Sequence, residues 1–162
     1  MKELAKYCAR TEIKLTITKL QAAQNQLEGA IANLFLGNWP AAITLAGAVE
    51  DSLPTIDAQS DFYTEAKKSG ADVFKKTEKN ISDEMNELRN WLKHDKTEIT
   101  KEITQQDVLV MVLRAYSRFR AHHEPIEPDA VLSESFGVFE HWLSKNYPDW
   151  ISGNYSDSEN LP

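Results

Sequence analysis

A chain of 162 residues is long enough for one domain with a buried core, and needs no disulfides to stabilise it. Its 41% hydrophobic and 27% charged residues are ordinary for a soluble globular protein, and its single cysteine, Cys8, excludes a disulfide framework or a cysteine-based zinc site within one chain. A net charge of −7, from 25 acidic and 18 basic side chains, argues against a general nucleic-acid-binding surface but leaves room for a small local basic site.

The N-terminal stretch MKELAKYCARTEIK is polar and lacks the apolar run of a signal peptide. No stretch of about 18 apolar residues predicts a transmembrane helix. A cytoplasmic protein with no membrane association is expected. Ile13, Leu15 and Ile17 alternate with polar residues, which fits a short strand or an extended lead-in over 1–17.

At Thr18 the pattern changes to helical. Thr18 and Gln21 match a capping box. Leu20, Ala23, Leu27, Ala30, Ile31 and Leu34 follow at helical spacing, and Gly37 is a natural stop, so a helix is predicted over 18–36. Pro40 suits the first turn of a second helix. Its apolar face is Ala41, Ala42, Leu45, Ala46, Val49 and Leu53, and Pro54 ends it. The small residues Ala42, Ala46, Gly47 and Ala48 allow another helix to approach closely, either within the protomer or from a second copy.

Residues 55–60 read as a loop and 61–76 as weakly helical, anchored by Phe62, Ala66, Val73 and Phe74. A clear helix resumes near Asn80 or Ser82, with Ile81, Met85, Leu88 and Leu92 as its buried stripe. Another starts at Thr104 and runs to about His122 on Val108, Leu109, Val112, Leu113, Tyr116 and Phe119. The run EPIEP at 124–128 breaks the chain. A last helix is predicted over 129–146, with Leu132, Phe136, Phe139, Trp142 and Leu143 inward. The expected organisation is all-α: a bundle of five or more helices over 18–150, followed by a mobile acidic tail at 151–162. Leu27, Ile31, Leu45, Met85, Leu88, Leu92, Val112 and Phe139 are expected to share one core.

The sequence contains no Gly-rich phosphate loop, no G-x-S-x-G elbow and no H-E-x-x-H, and no Glu has a His three residues later. His122-His123-Glu124 reads as a solvated helix end, where basic groups suit the dipole, and not as a metal cluster, because adjacent helical side chains point about 100° apart. No metal or cofactor is expected.

The segment Arg89-Asn90-Trp91-Leu92-Lys93-His94 is different. With 81/85/88/92 facing inward, Asn90 and His94 point outward as i, i+4 neighbours. Arg89 and Lys93 share one flank, and Trp91 lies half-buried on the other. Such a patch can bind an anion, hold a phosphate bidentately through Arg, and move a proton through His near neutral pH. Polar residues facing away from a core stripe also suit an ordinary surface helix.

In an all-helical chain, an Arg and a His separated by four residues, with Asn directly after the Arg, resemble the HEPN family (higher eukaryotes and prokaryotes nucleotide-binding). The phrases QLEGAIANLFLGNWPAAITLAGAVEDSL, NWLKH and FEHWLSKNYP are similar to a group of uncharacterised bacterial HEPN-like proteins, over roughly 18–150. The resemblance implies a helical bundle that forms a homodimer, with the motifs of both subunits meeting at the interface. Active members are metal-independent endoribonucleases. Other members bind nucleotides or partner proteins without known cleavage.

On this resemblance Arg89 and His94 are the candidate catalytic residues, with Asn90 and Lys93 as substrate-binding residues. Glu50 and Asp51 are candidates for the extra acidic group some members place near the motif, or form an ordinary polar helix end. A second match, Arg118-Phe-Arg-Ala-His-His123, competes with the first. Arg89/His94 is preferred because Asn90 and Lys93 complete a polar patch. Two functions stay open: an endoribonuclease acting on RNA, and a non-enzymatic helical dimer that binds a nucleotide or protein.

Overall fold

Thr18 and Gln21 start the first helix as their spacing predicts. The Thr18 hydroxyl accepts from the Gln21 backbone N–H at 3.1 Å, and the Gln21 side chain accepts from the Thr18 N–H at 2.9 Å. Two N–H groups that a helix start leaves without partners are thereby satisfied. The computed structural model describes residues 14–54, 67–68, 71, 75–95, 97, 99–123 and 133–148. Within them, α1 (Lys19–Phe35) runs to Gly37, whose φ of +73° lies in the left-handed region that glycine enters freely. α2 (Trp39–Ser52) carries Pro40 in its first turn.

α3 (Glu78–His94) begins earlier than the predicted start near Asn80 or Ser82, because Thr77 is its cap and accepts from the Asn80 N–H at 3.2 Å. α4 (Gln105–His123) follows a reciprocal pair: the Thr104 hydroxyl accepts from the Asp107 N–H at 3.2 Å, and Asp107 accepts from the Thr104 N–H at 2.9 Å. α5 (Glu134–Asn146) closes the described fold. The secondary structure of the described residues is helical, with no strand. Leu15 and Ile17 lie in non-helical chain and are exposed, which fits a lead-in and not a strand. The predicted helix start near 129, most of the 61–76 stretch, the EPIEP break and the tail lie outside the described residues.

The core is built by α1, α2 and α4, which pack on one another, with α5 against α1. Leu27, Ile31, Ile43, Val49, Leu109 and Val112 are fully covered, and Phe119, Phe136 and Phe139 form its aromatic end. Phe119 and Phe136 sit 5.4 Å apart, and Tyr116 meets Phe136 and Phe139 edge-on at 5.8 and 5.7 Å. Each of the fully buried rings, Phe119, Phe136 and Phe139, contributes about 1.5–3 kcal/mol.

Four of the expected core residues, Leu27, Ile31, Val112 and Phe139, are buried there. Leu45, Leu88 and Leu92 are only half-buried at its edge, and Met85 is half-buried and outside the cluster. For Met85, Leu88 and Leu92 the reason is the placement of α3, which packs chiefly on α2 and buries Ile81 alone. Ala42 and Ala46 are fully covered inside the protomer, and Gly47 lies beneath the Arg89 side chain. Ala42, Ala46 and Gly47 therefore serve packing within one chain and supply no argument for pairing with a second copy, while Ala48 is half-buried.

No helix among the described residues is long and apolar enough to cross a membrane.

Candidate functional site

The C-terminal turn of α2 carries Glu50 and Asp51 and has no basic residue of its own. A helix C-terminus concentrates partial negative charge and unpaired carbonyls. Two acidic residues there add to that charge, and the fold meets it with cations from α3 and α4.

From α3, Arg89 donates to Asp51 Oδ1 and lies 3.6 Å from Glu50 Oε2, while Lys93 donates to Asp51 Oδ2 at 2.9 Å. From α4, Arg114 donates through Nε and Nη2 to the two oxygens of Glu50, at 3.0 and 3.1 Å. Arg118 donates to the Glu50 backbone carbonyl at 3.3 Å, and His122 Nε2 is 2.8 Å from the Pro54 carbonyl. Four cations thus surround two carboxylates, a local basic excess in an acidic chain.

Burial divides this network. The Glu50 and Arg114 side chains are only 4% and 2% exposed, so their pairing is internal. Asp51 is 56% exposed, and Arg89 (16%) and Lys93 (32%) lie between interior and solvent. The hydrogen bond from Arg89 holds the Asp51 carboxyl below its ordinary value, helped by Lys93 and opposed by partial burial. Gly47 makes the seat for Arg89: a Cβ there would fall 2.8 Å from Arg89 Nε.

The predicted patch is therefore not uniform. Arg89 and Lys93 turn toward the acidic end of α2 instead of projecting freely. Asn90 and His94 are exposed on the neighbouring face. With Asp83, Glu87, Trp91, Asp95 and Lys101 they line an open depression of about 470 Å³. Lys101 pairs with Glu87. The structure brings Glu50 and Asp51 to Arg89 and Lys93, and it keeps His94 exposed at the same helix end.

The second motif is occupied differently. Arg118 caps α2, and His123 is buried with its ring 5.3 Å from Phe119. Its adjacent residue, His122, is the one that reaches the α2 terminus. Among the described residues no group of three His, Cys, Asp or Glu side chains is placed to hold a metal ion.

Sequence reasoning missed Arg114 and Asn86. Arg114 Nη2 also donates to Asn86 Oδ1 at 3.0 Å, and Nη1 donates to the Met85 carbonyl at 3.0 Å. A signal was present. Arg114 falls among Met111, Val112 and Ala115 on the apolar face of α4, and Glu50 follows Ala46 and Val49 on that of α2. Opposite charges on two buried stripes call for each other, because an isolated buried charge is too costly.

No family model, curated protein or solved structure matches this chain.

Proposed function

We propose that this chain is an HEPN-like helical protein, and that it acts as a metal-independent endoribonuclease whose site is completed at a homodimer interface. One observation supports it most: the Arg89 guanidinium is seated on Glu50 and Asp51, while His94, five residues on at the same helix end, faces solvent with Asn90. Anchoring fixes a cation before substrate arrives, which lowers the reorganisation needed when charge develops on a phosphate.

In this reading His94 takes the proton of an RNA 2′-hydroxyl. The 2′-oxygen attacks the adjacent phosphorus, and the bond to the 5′-oxygen breaks. The products are a 2′,3′-cyclic phosphate and a 5′-hydroxyl. Arg89 and Lys93 stabilise the phosphoryl oxygens, and Asn90 orients the phosphate or the imidazole. The leaving oxygen needs a proton, and His94 of a second copy supplies it.

The test is cleavage of mixed-sequence single-stranded RNA in EDTA. Wild type is expected to cut, and His94→Ala to lose about 10²–10⁴-fold. Arg89→Ala is expected to lose a comparable factor. Absence of cleavage by wild type would overturn the nuclease reading. A second reading, a non-enzymatic dimer that binds a nucleotide or partner protein, draws on a different observation. Asp83, Glu87 and Asp95 line the depression at His94, and Arg89 and Lys93 already hold carboxylates. Binding without cleavage would favour it.

A further inference from the structure

The helix that bears Arg89 and His94 is weakly embedded. α3 buries one residue, Ile81, whereas α4 buries eight. Leu88 and Leu92 touch the core only as half-buried neighbours. Polar ties supplement that packing: Arg89 and Lys93 pair with the acidic end of α2, and Arg114 of α4 reaches two groups of α3.

A guanidinium has five N–H donors in a fixed fork and no acceptor. Arg114 has a partner for each. Nε reaches Glu50 Oε1, and Nη2 reaches Glu50 Oε2 and Asn86 Oδ1. Nη1 reaches the Met85 carbonyl and, at 3.4 Å, the Met111 sulfur. Two of these partners are on α3, one residue is on α2, and Arg114 itself is on α4. The same carboxylate that Arg114 grips lies 3.6 Å from Arg89. Arg114 is thus bonded to the backbone of the motif helix and to the acid that Arg89 faces. It is too buried to touch a substrate.

We propose that Arg114 is the positioning residue of the candidate site: its clasp of four donors on Glu50, Asn86 and the Met85 carbonyl docks α3 against α2 and α4, and so sets where Arg89 and His94 stand. Its catalytic consequence rests on the nuclease reading; its structural consequence does not. A lysine keeps the charge but has three donors on one nitrogen, and cannot span the two sides of this fork.

The decisive measurement is amide hydrogen exchange on the full chain, wild type against Arg114→Lys, resolved by helix. Exchange in Glu78–His94 is expected to accelerate about tenfold or more, while protected amides of α1, α2 and α4 change less than about twofold. Equal acceleration everywhere would mean plain loss of stability, and no acceleration in α3 would mean that the clasp is idle. Either result overturns the proposal. Should Arg114→Lys fail to fold, Glu50→Gln tests the same grip, because a carboxamide offers Arg114 one acceptor oxygen instead of two. Arg120→Lys is the control on the same helix, since Arg120 pairs with Glu140 away from the site. If wild type cleaves RNA, Arg114→Lys should lower kcat about tenfold or more with KM within about threefold. A rise in KM at constant kcat would instead give Arg114 a binding role and overturn positioning. If wild type does not cleave, the nuclease reading fails and the exchange result still decides the docking.

Discussion

His94 and His123 end two helices, yet their surroundings are opposite. His94 is exposed on a depression, whereas His123 is buried against Phe119. The two substitutions should therefore separate stability from chemistry. His123→Ala is expected to cost about 0.5–3 kcal/mol in denaturant unfolding through lost packing, while leaving RNA cleavage by the folded fraction intact. His94→Ala should leave the unfolding midpoint within about 0.5 kcal/mol and remove cleavage. Reversal of the two outcomes would move the site to 118–123.

Asp51 makes a second residue-scale test. Its folded carboxyl is held below the ordinary 3.8 by Arg89 first and Lys93 after it. A lowered folded value means that the charged pairing stabilises the fold above the unfolded value, and that this contribution disappears as pH falls through the folded one. Wild type should thus exceed Asp51→Asn in stability at pH 6, and the gap should close below the folded value. Because Asp51 is more than half exposed, added salt should shrink the gap as well. A gap that is constant with pH would mean that Asp51 acts through shape and not through charge.

At the scale of elements, helix starts and a helix crossing carry separate predictions. The Thr18–Gln21 box is reciprocal, so Thr18→Ala should cost about 0.5–2 kcal/mol, read by thermal or denaturant unfolding. Gly47 sets two effects against each other. Alanine in a helix interior gains about 0.5–1 kcal/mol over glycine. Here the new methyl would meet Arg89 Nε and push the guanidinium from its carboxylates. Gly47→Ala should therefore change overall stability little but flatten the acid-side stability loss assigned to Asp51. Unchanged pH dependence would show that Arg89 has room to shift and still hold Asp51.

The described helices combine a hydrophobic core of α1, α2, α4 and α5 with a lightly buried α3 that polar contacts help to hold. That division matters for assembly. The proposed cleavage needs a general base and a general acid, and one chain presents a single His on the proposed patch. Sedimentation at micromolar concentration is expected to show twice the chain mass. A monomer alone would remove the two-histidine scheme. The small residues of α2 give no support to the dimer, since Ala42, Ala46 and Gly47 are covered within the protomer.

Local chemistry was enough to determine the helices. Periods of 3.6 residues, the Thr18–Gln21 box, Pro40 and Gly37 are properties of neighbouring residues, so they were legible without a partner in space. The direction in which Asn90 and His94 point also follows from helical geometry alone, and both are exposed. The cap at Thr77 is equally local, but the apolar stripe that begins at Ile81 gives the stronger signal. Which residues separated by many positions pair their charges depends on the fold. Glu50 meets Arg114 across 64 positions and Asp51 meets Lys93 across 42. The sequence offers several carboxylates and several cations, and Coulomb's law does not choose among them until the chain is folded. Burial makes that choice: α2 and α4 pack their apolar faces together, which leaves Glu50 and Arg114 facing each other away from water, where each needs the other.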